Sequence, residues 1–385
     1  MAVAKQKQTI LSIMICILLI ILTAVMPTGF EQAGAAYRDG GERIAARVLS
    51  ADNSTVINTG LVQSGDQKCE VELLEGSHKG EVYTANNILS GSLEQDKIYE
   101  EGDKALVLVS YSGHEVASVS MIDHYRMDLE LILLIAFFLF LMLFAGWTGV
   151  RAILSFILSV LFIWKILVPC CLRGMDPILI GGLVTGTLTL MIIALVFGFD
   201  KRCLAAVTGS MAGIALTCIL GIICTDSFQV QGAVMSFSES LLYSGYENLD
   251  LTRIFMASIF IGSSGAMMDL TVDITAAVSE VMQKRPDLSK WEAAKSGMRV
   301  GRAAMGTMTT TLLLAYSGGY VALLMVFMAQ GTPLVNMLNY KYVTSEIIHT
   351  LVGSFGLVLA APLTALTAGF FLGGGKHQEE FFQNL

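Results

Sequence analysis

The sequence predicts a polytopic α-helical membrane protein, with about eight transmembrane helices counting an N-terminal anchor, and a small extracytoplasmic all-β, OB-like domain. Three observations carry that reading. The 385 residues are 54% apolar and only 15% charged, with a mean hydropathy of +0.66, which is the composition of a chain that crosses a bilayer repeatedly. Apolar runs long enough to span recur from residue 129 to residue 372. Between the first such run and the others lies one segment, residues 37–126, whose apolar residues alternate with polar ones instead.

In chain order, Lys5 and Lys7 precede an apolar run of 18 residues, Thr9 to Met26, that Pro27 ends. Ala33-Gly34-Ala35 then supplies a small-residue cleavage pattern. Residues 1–36 are thus either a cleaved signal or a retained anchor, and the length of the run favours the anchor. Either way the next segment is expected outside. There Ile44, Ala46 and Val48 share one parity, as do Cys69, Val71 and Leu73, with further strand signals at Val82-Tyr83, Ala105 to Tyr111 and Val116 to Met121. Turns are expected at Gly60, Gly65, Gly76, Gly91 and Gly113. Five or six short strands in ninety residues suit a small barrel. The segment holds 15 Asp and Glu against 8 Lys and Arg, a net charge of −7. An OB barrel that binds nucleic acid needs a basic groove with aromatic platforms, so nucleic acid is excluded as a partner and a structural or protein-contact role is expected.

Seven further spans are placed near 129–146, 152–168, 177–198, 203–224, 251–281, 303–328 and 347–372, making 127–372 a seven-helix membrane domain and 373–385 a tail. One set of connections collects Lys5, Lys7, Arg151, Lys201, Arg202 and the basic run from Lys284 to Arg302, with Lys376 in the tail. By the positive-inside rule that side is cytoplasmic, so both termini are expected inside and residues 37–126 and 225–250 outside. Gly182-x-x-x-Gly186, Gly209-x-x-x-Gly213 and Gly353-x-x-Gly356 flatten helix faces for close packing. Seven cysteines give no disulfide framework. Cys170, Cys171 and Cys224 near one membrane face read as small apolar helix residues.

The polar residues of the spans concentrate in 261–320. Span 251–281, at 31 residues, would be about 46 Å long as one helix, beyond the ~30 Å hydrocarbon core. Gly262-Ser263-Ser264-Gly265 is therefore either a helix break exposing backbone groups at depth or a tightly packed patch of a continuous helix; both readings stay open. Asp269 and Asp273, four residues apart, share a face with Ala276, Ala277 and Glu280. A turn near Asp287 would bring Asp273 level with Arg302, Asp269 with Gly306 and Glu280 with Lys295, so an Asp273–Arg302 ion pair is expected, serving either a ligand site or the helix hairpin alone. Thr307, Thr310 and Thr311 fall on one face of the following helix, where their hydroxyls either bond to the preceding turn or complete a polar pocket with Asp269. Glu346 and His349 project from one turn of the last span and form a weaker candidate pair.

Several separated motifs in this region also carry a resemblance. Ser263-Ser264-Gly265-Ala266-x-Met268-Asp269, Ser296-Gly297-x-x-Val300-Gly301-Arg302, Met305-Gly306-Thr307-Met308-Thr309 and Leu312-x-Leu314-Ala315-Tyr316 resemble the signature of the YibE/F family of bacterial membrane proteins. Glu346-Ile347-Ile348, Gly353-Ser354-x-Gly356-Leu357-x-Leu359 and Pro362-Leu363-Thr364-Ala365 resemble its last helix. The chain departs from that pattern at Ala303, Thr310 and His349. The resemblance implies a multipass fold in the bacterial plasma membrane and no particular biochemical activity.

No phosphate loop, nucleophile–base pair or zinc-protease motif is present. The expectation is accordingly a non-enzymatic protein without a cofactor or bound metal: a permease or transporter component for a small solute or cation, with Asp269, Asp273, Arg302, Thr307, Thr310 and Thr311 as its intramembrane site. The alternative is a membrane scaffold or sensor whose barrel meets an envelope partner. The bilayer is the certain partner of such a chain, and a homo-oligomer is a further one to test.

Overall fold

The structure is a computed structural model and describes residues 2–30, 41–112 and 115–373. The Ala33-Gly34-Ala35 pattern, the Gly113 turn and the tail from residue 374, with Lys376, lie outside the described residues. The chain divides into two compact units, Gly29–Gly146 and Met1–Thr28 with Trp147–Leu385.

In the first unit, the alternating segment forms β1 (Glu42–Asp52), β2 (Val56–Asn58), β3 (Gln63–Leu73), β4 (Val82–Ser90), β5 (Lys104–Ser112) and β6 (Glu115–His124). The strands bond in the order β1-β5-β6-β4-β3, and β3 returns to β1, so five strands close into a barrel with β2 appended to β3. Among the described strands, only β4 and β6 pair in parallel. Closure rests on β1, whose first half pairs with β5 and whose second half pairs with β3 across a register shift between Val48 and Ser50. This is the OB-like topology expected from the alternation. The interior is apolar, with Ala46, Val48, Cys69, Val71, Leu73, Ala105, Val107 and Val109 buried. Burial pushes the Cys69 thiol up to about 11.

Two polar side chains, Gln67 and Asn87, are buried in that interior. Gln67 has the same parity as Cys69 and is fully buried. Its amide nitrogen donates to the Tyr99 carbonyl and to Asn53 Oδ1, both at 2.8 Å. Its amide oxygen accepts from Asn87 Nδ2 at 3.0 Å and from the Tyr99 amide at 3.1 Å. A single side chain thus ties β3, β4 and the segment before β5 together, with both ends of its own amide satisfied. The turn after β4 is closed by Asp96, whose carboxylate accepts from the Ser90, Gly91 and Ser92 amides. These hydrogen bonds, that from Ser90 foremost, hold the Asp96 carboxyl below its ordinary value.

The helices are α1 (Ala2–Val25), α2 (Met127–Phe162), α3 (Val168–Leu172), α4 (Pro177–Phe197), α5 (Lys201–Ser227), α6 (Ser238–Tyr243), α7 (Leu251–Lys284), α8 (Lys290–Ser317), α9 (Val321–Ala329), α10 (Leu334–Leu338) and α11 (Lys341–Leu372). Among the described residues, seven apolar helical tracks are long enough to cross a membrane. One of them, Met127–Leu172, has 46 residues, enough for two crossings. Gly146 divides it with non-helical dihedrals, φ 54° and ψ −127°, a conformation that suits glycine. The spans expected near 129–146 and 152–168 therefore meet at one residue, with no intervening loop.

Helix starts are capped as their sequences suggest: Asp176, Asp200 and Asp250 accept from amides of the first turns of α4, α5 and α7, and Ser289 with Glu292 forms a capping box on α8. The core of the second unit lies where α5, α7, α8 and α11 meet, around Ile214, Met267, Leu270, Ile274, Leu357 and Ala361. Small residues set the spacing there. A Cβ at Gly209 would strike Thr364, one at Gly356 would strike the Thr217 hydroxyl, and one at Gly213 would lie 2.7 Å from Ala360 Cβ. The Thr217 and Thr364 hydroxyls bond back to Gly213 and Ala360 of their own helices, at 2.9 and 2.7 Å, so neither is left bare in the interior. α11 runs on through Pro362.

Two outcomes are expected. Gln67→Leu should destabilise the barrel by about 2–4 kcal/mol, because it orphans the Asn87 and Tyr99 donors, and amide hydrogen exchange of β3 and β4 in the full-length protein would report it as faster exchange. Gly209→Val should force α5 away from α11 at a cost of about 1–3 kcal/mol, read as a lowered unfolding temperature in detergent.

Candidate functional site

α7 and α8 pack as an antiparallel pair through small residues. A Cβ at Gly297 would lie 2.7 Å from Val278 Cγ2, and one at Gly301 would lie 3.0 Å from Ile274 Cδ1. These contacts set Asp273 level with Arg302, as the spacing implies. They also explain why the expected ion pair does not form. Successive residues on a helix are turned by about 100°, so seating Ile274 against Gly301 rotates both Asp273 and Arg302 away from the shared seam. Both are exposed, as is Asp269. Among the described residues, no ion pair within 4.0 Å involves any of the three. Glu280 pairs with Lys284 of its own helix at 2.8 Å, and not with Lys295.

The threonines follow the blander of their two expected uses. Thr307, Thr310 and Thr311 are exposed, and their hydroxyls donate to the Ala304, Gly306 and Thr307 carbonyls at 3.0, 3.3 and 3.0 Å.

The expected break at Gly262 and Gly265 is likewise absent: α7 is continuous from Leu251 to Lys284. The Ser263 hydroxyl donates to the Ile259 carbonyl at 2.9 Å and that of Ser264 to the Ile261 carbonyl at 2.7 Å, so the polar patch is answered within the helix. Gly262 has a steric role, since a Cβ there would lie 2.6 Å from the Tyr316 hydroxyl.

That tyrosine belongs to the polar cluster that does form inside the bundle. His349 of α11 approaches the Ser258 hydroxyl of α7, with Nε2 and Oγ 3.0 Å apart. The Tyr316 ring of α8 stacks on the imidazole at 5.4 Å between centroids and 16° between planes, and Phe255 of α7 meets it in an edge-on arrangement at 5.2 Å. Glu346 stands one turn before His349. One of its carboxylate oxygens and the Tyr316 hydroxyl are buried without a hydrogen-bond partner among the described residues. Glu346 also borders a recess of about 300 Å³ whose other walls include Leu313, Tyr320, Leu324 and Thr350. The turn Gly232–Val234 covers the neighbouring helix surface, where Val230 and Val234 pack on Phe255 and Ile348. The 225–250 loop is thus partly inserted into the bundle, while its Phe237 and Tyr243 stay exposed.

The two candidates that the spacing ranked lower, Glu346 and His349, are therefore the ones brought together with groups from other helices. Ser258 and Phe255 were not singled out by the sequence. Ser258 lies four residues before Gly262, so following that helix face one turn further would have reached it. Among the described residues, no group of three or more His, Cys, Asp or Glu side chains is arranged to hold a metal ion.

Comparison with protein families accounts for nearly the whole chain. The model of the YibE/F-like protein family matches residues 133–374, and that of the YibE/F family N-terminal domain matches residues 44–124. The chain belongs to the YibE/F family. No curated protein and no solved structure matches it. In this YibE/F protein the motif residues divide by role. Gly297, Gly301 and Gly356 let helices approach, Ser263 lies under Gly353 with a Cβ-to-Cβ spacing that would be 3.1 Å, and Tyr316, Glu346 and the adjoining His349 make the buried cluster.

The unpartnered Tyr316 hydroxyl gives a direct test of that cluster. Removing a buried, unsatisfied hydroxyl while keeping the stacked ring relieves a penalty of about 1–3 kcal/mol. Tyr316→Phe is expected to keep or raise the unfolding temperature in detergent, whereas His349→Ala, which empties the stack, is expected to lower it.

Proposed function

We propose that this YibE/F protein is a permease component that passes a proton or small cation through its helix bundle, using Glu346 and His349 with Ser258 and Tyr316. The observation that carries this reading is the convergence of two ionisable side chains with polar groups of two other helices in the bundle interior, beside a recess of about 300 Å³. Ionisable groups inside a membrane bundle are costly and are retained where an ion or proton is handled. The cluster lies about 7–12 Å from the starts of α7 and α11 by the standard helical rise, and on the end opposite the basic Lys284–Arg302 connection. Placing that connection in the cytoplasm by the positive-inside rule puts the cluster towards the outer face of a bacterial plasma membrane, with both termini inside and the barrel outside. The mechanism needs no covalent chemistry and no cofactor.

One feature of the barrel favours a second reading, a scaffold or sensor that contacts an envelope protein. Leu61 and Leu93 are 84% and 79% exposed and flank one recess of about 270 Å³.

Flux measurements separate the readings. In proteoliposomes with a pH-sensitive dye or with sodium or potassium indicators, the wild type should exceed empty vesicles, and Glu346→Gln and His349→Ala should cut that flux on the order of tenfold or more, the effect of losing ~1.4 kcal/mol at the site. Asp269→Asn should leave the flux standing. Wild-type vesicles that conduct none of these ions would reject the permease reading. Loss of a co-purifying envelope protein on Leu61→Asp with Leu93→Asp would support the second.

A further inference from the structure

Asp269, Asp273 and Arg302, which the fold turns outward, have no ion-pair partner among the described residues, yet they sit on helices that cross the membrane. α7 presents an exposed row of Gly265, Asp269, Asp273 and Ala276, spaced three or four residues apart and thus on one face. Asp269 lies near the midpoint of this 34-residue helix, so the row runs through the depth of the hydrocarbon, where a carboxylate facing acyl chains is strongly disfavoured. The neighbouring α8 presents Arg302, Ala303, Gly306, Thr307 and Thr310 outward. A Cβ added at Gly265 or at Gly306 meets nothing within 4 Å, so both rows are open at mid-depth.

We infer that these rows are the interface with a second copy of this chain. The occupant is chosen by charge and level together. The Gly297–Val278 and Gly301–Ile274 contacts put Asp273 and Arg302 at one depth while pointing them away from the seam between their own helices. A two-fold axis along the membrane normal keeps every residue at its depth and makes the contact self-complementary. It lays the α7 row of each copy along the α8 row of the other, so Asp273 meets the partner's Arg302 twice per dimer. Asp269 then faces the partner's Gly306 and the adjoining threonines, and the glycines on both rows let the backbones come close. A patch that carries both signs at matched depth fits its own copy. The inference is independent of any flux through the Glu346–His349 cluster.

The test is a charge exchange. The full-length protein in lipid nanodiscs or native-lipid particles should be dimeric by native mass spectrometry or mass photometry. Asp273→Arg alone and Arg302→Asp alone each place like charges across the axis and should reduce the dimer at least tenfold. Co-expressed with different tags, the two variants should recover a mixed dimer, because one contact is then the native pair and the other its reverse. A second measurement avoids these charges. Chains bearing Ala276→Cys and Arg299→Cys, level with one another and both exposed, should form a cross-link between differently tagged copies on mild oxidation, and the parent chain should not. A monomeric wild type in lipid, single variants that dimerise as the wild type does, a mixture that fails to recover while both chains remain folded without giving the cross-link, or a different membrane polypeptide bound stoichiometrically in place of the second copy would each overturn the inference.

Discussion

Hydrocarbon offers no hydrogen bonds, and that shortage governs how most of the hydroxyls of the bundle are placed. The cheapest answer is local: Thr217, Ser263, Thr307 and Thr364 return their hydroxyls to a carbonyl one turn back. Such groups can stand anywhere on a helix because they ask nothing of a neighbour. Side chains with more donors or acceptors than one carbonyl can satisfy need another helix. Arg151 reaches the Leu195 carbonyl at the end of α4, and even a single hydroxyl can link helices, since Thr367 shares its proton between the Thr364 carbonyl of its own helix at 3.1 Å and the Ala205 carbonyl of α5 at 2.9 Å. Interhelical bonds of this kind fix the spacing of the helices as the small residues do, and they need the glycines beside them. Without the close approach at Gly209 and Gly356, α11 would stand too far from α5 for Thr367 to reach.

The same economy explains why the buried cluster has its composition. An imidazole in the bundle needs its ring packed and its nitrogens answered. Tyr316 and Phe255 do the first, and Ser258 answers one nitrogen. Tyr316 can reach this position because Gly262 leaves room for its hydroxyl, so a residue whose sequence signal suggested backbone distortion serves a side chain on a neighbouring helix. Helix continuity and the cluster are thus linked: a break at Gly262 would move Ser258 relative to Tyr316 and dismantle the stack.

Features that depend on one element alone were legible in the sequence. The period of two placed the barrel strands, apolar length placed the spans, and the Gly209–Gly213 and Gly353–Gly356 spacings marked faces that meet, whereas Gly182 meets nothing within 4 Å and Gly181 beside it packs on Phe260 instead. The level of Asp273 with Arg302 was legible too, because depth along an antiparallel pair follows from counting residues. Their orientation was not, because rotation about a helix axis is set by whichever faces bury most, and Ile274, Val278, Gly297 and Gly301 outweighed the charges. Gln67 was hidden for the opposite reason. It lies on the inward parity of β3, where alternation predicts an apolar residue, and only the three-dimensional meeting of β3 with β4, the Tyr99 segment and the turn at Asn53 supplies its four hydrogen bonds. Ser258 carried no pattern at all, since a lone serine in an apolar run is ordinary until a histidine stands across from it.

The two sets of ionisable groups therefore meet one constraint by different routes. Glu346 and His349 are drawn inward because aromatic and hydroxyl groups of α7 and α8 converge there, whereas Asp269, Asp273 and Arg302 are excluded from the interior by a helix seam already filled with Ile, Val and Gly. Exclusion from the interior of one chain leaves their polarity unanswered at a depth where water does not answer it. A row of acids beside small residues, level with a base on the adjoining helix, is poorly suited to acyl chains and well suited to a surface of the same design. Packing economy inside the monomer, carried far enough, thereby creates the demand for a neighbour outside it.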